Sequence, residues 1–179
     1  MKELPPFGPD GDSRPVASTA VIDPEEVSNS GIQACVAYWN DRRAGAFAPR
    51  WEDFHLYELP SQVLPYILVL DALPDGDFRY RYWGSGHTLY HNRDYTGKRV
   101  SDMENAWAAD LLRHQYNQVV EVRRPLVFVN TYEGVDIPLH SLRMPLSDDG
   151  RNVTHVFSYV GRRAVTEIMR RLFERDKGA

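Results

Sequence analysis

The stretch that most restricts the fold is Phe78–Trp83, Phe-Arg-Tyr-Arg-Tyr-Trp, where rings and cations alternate with a period of two. That spacing predicts a strand with Phe78, Tyr80 and Tyr82 on one face and Arg79, Arg81 and Trp83 on the other. Before it lies the nearly continuous apolar run Tyr66–Leu73, the pattern of a strand buried on both faces. Pro74-Asp75-Gly76-Asp77 between them has hairpin-turn chemistry, so the two strands pair antiparallel. Gly84-Ser85-Gly86 then ends the second strand, where two glycines permit unusual backbone angles. A short helical run with His87 and His91 one turn apart follows, and Tyr95-Thr96-Gly97-Lys98 turns the chain again.

Residues 1–22 read as a disordered tail, because Pro5, Pro6, Pro9, Pro15, Gly8 and Gly11 oppose regular structure and little is available to bury. Deleting Met1–Val21 is therefore expected to leave stability unchanged. Asp23-Pro24-Glu25-Glu26 has the chemistry of a helix start, and Ile32, Cys35, Val36 and Trp39 form one apolar stripe, giving an N-terminal helix over 23–45. Asn105–Arg123 is the longest interior helix pattern and stops before Pro125. Three strands at short spacing, Leu126–Tyr132, Ile137–Leu146 and Val153–Val160, read as an antiparallel meander. Residues 162–179 contain a C-terminal amphipathic helix, its stripe formed by Val165, Ile168, Met169, Leu172 and Phe173. The pattern alone gives an α+β sandwich.

The segments Phe78-Arg-Tyr-Arg-Tyr-x-Gly84-Ser-Gly and Asp94-Tyr-Thr-Gly-Lys-Arg-Val-Ser-Asp-Met resemble the middle of a bacterial subfamily of small stand-alone PAS domains. Tyr38-Trp39-Asn40, Leu64-Pro65-Tyr66 with Leu70-Asp71, and Pro145–Gly150 fit the same pattern. The resemblance implies a PAS-like five-stranded antiparallel sheet over residues 46–161, with helices packed on one face and flanking helices at both ends. It also implies a sensory or protein-interaction module, commonly a homodimer through those flanking helices. With no kinase, cyclase or DNA-binding segment after Ala179, output is expected through a partner protein.

Composition narrows the function classes. At 179 residues the chain suits one domain with a real core. Its net charge of −4 argues against a nucleic-acid partner. A single cysteine, no signal-peptide core and no membrane-length apolar run make the cytoplasm the expected compartment and leave no membrane role. No nucleophile elbow, phosphate loop or metalloprotease motif is present, so no catalytic residue is assigned and the chain is not read as an enzyme. The alternatives are a small-molecule enzyme with His87, His114 or His155 as base, which needs a histidine and an acid converging in one cavity, and a scaffold with a filled core.

His87 and His91 share one side of a helix but lack a third ligand, so no metal is assigned. Haem-binding relatives of the resembled family often use a histidine on the long helix. With Trp107 as origin, however, the apolar arc centres at about 90° while His114 projects at about 340° and Gln115 at about 80°. Cys35 belongs to another helix and reads as a small buried hydrophobe. Neither haem nor flavin is therefore expected, and no cofactor is assigned. Gln115 on the buried face is either tied to neighbouring backbone or aimed at a ligand. A possible small organic ligand would then sit among Tyr80, Tyr82, Gln115, Phe128, Met144 and Phe157, unless those side chains simply fill the core.

Overall fold

The computed structural model describes residues 18–161 except 92, 133 and 134. Six strands form one antiparallel sheet: β1 (Ser18–Ile22), β2 (Ile67–Ala72), β3 (Phe78–Trp83), β4 (Leu126–Tyr132), β5 (Val135–Leu146) and β6 (His155–Val160). Their spatial order is β1-β4-β5-β6-β2-β3, every pair antiparallel. The helices are α1 (Ser30–Arg42), α2 (Ser85–His91) and α3 (Ala106–Val122). Two strands, a helical crossing and three more strands make this an α+β, PAS-like fold, with β1 as a sixth strand beyond the expected five.

Period-two alternation divides the buried residues between two faces. Ile67, Val69, Val127, Leu142, Met144, Leu146, Phe157 and Tyr159 pack with Ile32, Cys35 and Trp39 of α1. Leu68, Leu70, Phe78, Tyr80 and Val156 pack instead with Ala109 and Tyr116 of α3 and with the segment around Tyr95–Met103. Val119 of α3 joins Leu126 and Phe128 on that same face. We call these the α1 face and the α3 face. Two roles are open to the α1 stripe, covering the sheet's outer face or pairing with a second copy, and here it covers the sheet.

Several expectations are corrected. Ser18–Ile22 is not tail: it pairs with β4 from Ser18↔Thr131 to Ile22↔Val127. Hydropathy could not reveal it, because an edge strand exposed along most of its length is held by the backbone ladder rather than by burial. The Asp23–Glu26 signature makes a separate 3-10 turn, and α1 starts later, capped by Asn29 Oδ1 accepting from the Gly31 and Ile32 amides. Residues 162–179, with the expected C-terminal helix, lie outside the described residues.

The alternation in β3 breaks at a bulge. Leu70 faces Tyr80 and Val69 faces Tyr82, leaving Arg81 as the extra residue. Tyr82 therefore turns to the α1 face while Tyr80 stays on the α3 face. The glycines that follow serve close packing rather than unusual angles. A Cβ on Gly84 would overlap the Pro65 carbonyl and come within 2.7 Å of the Ile67 carbonyl oxygen. One on Gly86 would lie 2.7 Å from the Pro65 oxygen and from the Tyr66 ring. This contact lets α2 sit directly on the turn that precedes β2.

Candidate functional site

On the α3 face, the three adjacent strands β4, β5 and β6 carry a polar stripe where a core would ordinarily be apolar. Asn130, Ser141, Arg143 and Ser158 point inward with exposures between 0 and 4%. Gln115 and Tyr116 of α3 close over them, both fully buried. Arg143, itself 2% exposed, donates from Nη2 to Gln115 Oε1 at 3.0 Å and from Nη1 to Ser158 Oγ. Its guanidinium lies 4.6 Å from the centre of the Tyr116 ring, a cation–π contact strengthened by burial. Gln115 Nε2 donates to Asn130 Oδ1 at 3.2 Å, and the same oxygen accepts from the Thr19 hydroxyl at 2.9 Å. The network thus runs from the edge strand β1 through the sheet to α3.

Among the described residues Arg143 has no carboxylate partner. A lone guanidinium taken out of water costs several kcal/mol unless its charge is compensated. Two neutral oxygens and one ring compensate it in part, and Nε makes no hydrogen bond. Burial pushes the Tyr116 hydroxyl pKa up, and the Arg143 charge and neighbouring Ser158 act against that rise. The hydroxyl itself sits beside Ser158 without an aligned hydrogen bond.

Next to this stripe, Tyr80, Trp83, Tyr95, His87 and His91 form a ring cluster. Trp83 is 4.9 Å from Tyr80, 5.2 Å from Tyr95, 5.5 Å from His87 and 5.3 Å from His91, centroid to centroid. Trp83 Nε1 and His87 Nε2 are buried and make no hydrogen bond among the described residues. Burial pulls the His87 pKa down to about 4, against a hydrogen bond with the Tyr66 backbone, and the Arg143 charge adds to the fall. Burial also raises the Tyr80 hydroxyl well above its ordinary value, while Arg143 lowers it. Tyr80, Trp83 and Tyr95 belong to the same packed cluster as Tyr116, the ring against which the Arg143 guanidinium lies. The result is one buried region with a cation that meets no opposite charge and, among the described residues, four polar atoms without a hydrogen bond: Arg143 Nε, Tyr116 Oη, Trp83 Nε1 and His87 Nε2.

The sheet separates the six residues expected to line one pocket. Tyr80, Gln115 and Phe128 lie on the α3 face, and Gln115 joins the Arg143 network. Tyr82, Met144 and Phe157 lie on the α1 face, in its packed core. Gln115 is tied to the side chains of Asn130 and Arg143, not to backbone. The expected phase of α3 holds at its centre, with Gln115 buried and His114 exposed, although Val122 at the end of the arc is 45% exposed. Cys35 sits on α1 across the sheet, and burial pushes its thiol up to about 12. His87 is buried and His91 exposed, their rings 6.5 Å apart.

Sequence reasoning missed Arg143. Leu142-Arg143-Met144 reads as a half-buried strand with its cation in water. One signal was available: Ser158 stands inside the apolar β6 run, and a strand buried on both faces must turn that hydroxyl inward.

A histidine and carboxylates do converge elsewhere. His155 Nε2 is 3.4 Å from Asp71 Oδ1 and its Nδ1 is 3.6 Å from Asp148 Oδ2. Asp71 also accepts from Arg79 Nη2 at 3.0 Å and Arg81 Nε at 2.5 Å. Asp71 is the register partner of both Arg79 and His155, so this is a cross-strand ion cluster joining β3, β2 and β6. Its charges are mutually satisfied. The ring of Trp51 lies 5.9 Å from that of His155, and burial lowers the His155 pKa against the pull of Asp148 and Asp71. His155 itself is buried, at 5% exposure. Among the described residues, no helix is long and apolar enough to cross a membrane.

No protein-family model and no curated protein matches the sequence. Among solved structures, the chain is similar to an RNA-binding light-oxygen-voltage receptor, with 12% identity and a TM-score of 0.42. That match covers 94% of this chain and 46% of the receptor, so the chain spans about half the receptor's length.

Proposed function

We propose that the chain is a non-catalytic sensory module that holds a small organic ligand on the α3 face of its sheet and passes its occupancy to a protein partner. The carrying observation is the group of buried polar atoms around Arg143, Trp83 and His87 that have no hydrogen-bond partner among the described residues. Buried polar groups are hydrogen-bonded in the great majority of cases, and four unpaired in one region call for a molecule that pairs them. Occupancy would be felt along Arg143, Gln115, Asn130 and Thr19, which links the site to the edge strand β1. The His155–Asp71 cluster supports no catalytic reading, since Asp71, the acid at His155 Nε2, is neutralised by Arg79 and Arg81.

Native mass spectrometry of freshly purified protein, with an absorption spectrum and analysis of the denatured extract, tests this reading. The expected result is an added organic mass that is released on denaturation, with no Soret or flavin band. A bare polypeptide mass, together with no melting shift from any member of a broad metabolite panel, would refute it.

A further inference from the structure

Resting on that reading, we infer that the ligand is a small organic anion with an apolar body, its carboxylate seated against Arg143 and its body among the rings of Tyr80, Trp83 and Tyr95. The charge argument comes first. Arg143 carries a full positive charge at 2% exposure and meets only neutral oxygens and a ring among the described residues. Four arginines near this half of the sheet, all far more exposed than Arg143, are nevertheless paired with acids: Arg79 and Arg81 with Asp71, and Arg99 and Arg113 with Asp77. The protein therefore supplies carboxylates where cations are fixed for structure and withholds one at Arg143. A guanidinium favours a planar carboxylate because two parallel N–H groups match its two oxygens. At Arg143 the free Nε–H is the donor available to begin such a pair.

The remaining atoms suit the same ligand. The Trp83 indole N–H is a donor without an acceptor. The Tyr116 hydroxyl can turn its proton toward an anion. Around them the rings of Tyr80, Trp83 and Tyr95 pack in edge and tilted contacts with centres 4.9 to 6.1 Å apart, an aromatic wall that suits an aromatic or aliphatic body. A neutral ligand would leave the guanidinium uncompensated. A large polyanion would bring more charge than one buried cation balances.

The test compares acids with their primary amides: acetate, benzoate, phenylacetate and indole-3-acetate at millimolar concentration, read by thermal shift on the full chain. At least one acid should raise the melting temperature of the wild type, while its amide does not. That shift should vanish in Arg143→Met and weaken several-fold in Trp83→Phe, which keeps an aromatic ring, though a smaller one, and removes the donor. If Arg143→Met fails to fold, the acid–amide comparison on the wild type and the Trp83→Phe variant still decide the matter. Equal shifts from acid and amide, or recovery of a neutral molecule in the denatured extract, would overturn the anion inference and leave the ligand site standing. No shift from any acid would overturn the anion inference when the native mass is bare, and no shift from the metabolite panel as well would overturn both.

Discussion

A double-mutant cycle between Gln115 and Arg143 examines the buried network without any ligand. Gln115→Leu removes the oxygen that accepts from Arg143 Nη2 and leaves the guanidinium buried. A hydrogen bond to a charged group is worth about 1.5–3 kcal/mol, and stranding the charge adds to that, so we expect a loss of about 3 kcal/mol. Arg143→Met removes the cation itself and leaves Gln115 Oε1 and Ser158 Oγ short of a donor. Gln115 keeps its bond to Asn130 and Ser158 can turn toward Tyr116, so the cost is about 1–2 kcal/mol at roughly 1 kcal/mol per stranded neutral acceptor. The double substitution replaces both by apolar groups on an apolar face and should cost about the same as Arg143→Met alone. The coupling energy is then about 3 kcal/mol, measured by equilibrium urea denaturation of the four proteins. Additivity within about 0.5 kcal/mol, the behaviour of independent sites, would refute the reasoning.

The other predictions address the surroundings of the site. His87 is expected to titrate near 6.5 when unfolded and about 4 when folded. Both states are neutral above that window, and as pH falls through it the unfolded chain alone takes up the proton. Stability therefore drops by roughly 3 kcal/mol between pH 6.5 and 4, at about 1.4 kcal/mol per tenfold difference in proton affinity. The drop should shrink in His87→Gln when both are followed by urea midpoints against pH. Gly84→Ala places a methyl against the Pro65 and Ile67 carbonyls and should cost about 2 kcal/mol or more, seen as a lower melting temperature. Deleting residues 1–22 should destabilise by about 1–2 kcal/mol, because five ladder pairs are lost against the entropy of ordering a short strand. An unchanged melt would show that β1 contributes nothing.

How much of this was legible in the sequence follows from what each element relies on. The β2–β3 hairpin and the meander were readable because burial imposes its own period on Tyr66–Leu73, Phe78–Trp83 and Leu126–Val160. The strand β1 was not, since backbone pairing at an edge leaves no hydropathic trace. The bulge at Arg81 depends on the register between Leu70 and Tyr80, a property of two strands together, and it moved Tyr82 across the sheet. Gln115 was found because helix phase places it on the buried side. Arg143 was not, because the alternation of β5 gives its parity without saying which face α3 covers. The expected pocket therefore gathered apolar residues from both faces, while the unusual feature of the interior is polar.

The most direct test of the central claim follows the Trp83 indole and Arg143 Nε–H signals in a ¹H–¹⁵N spectrum during titration with the acid that gives the largest thermal shift. Seating a carboxylate against these donors should move both signals downfield, saturating together with the thermal effect. Resonances of the α1 face, such as the Trp39 indole bonded to the Pro145 carbonyl at 2.7 Å, should stay in place. Movement confined to surface residues, with the Trp83 and Arg143 signals unchanged at saturation, would contradict the account.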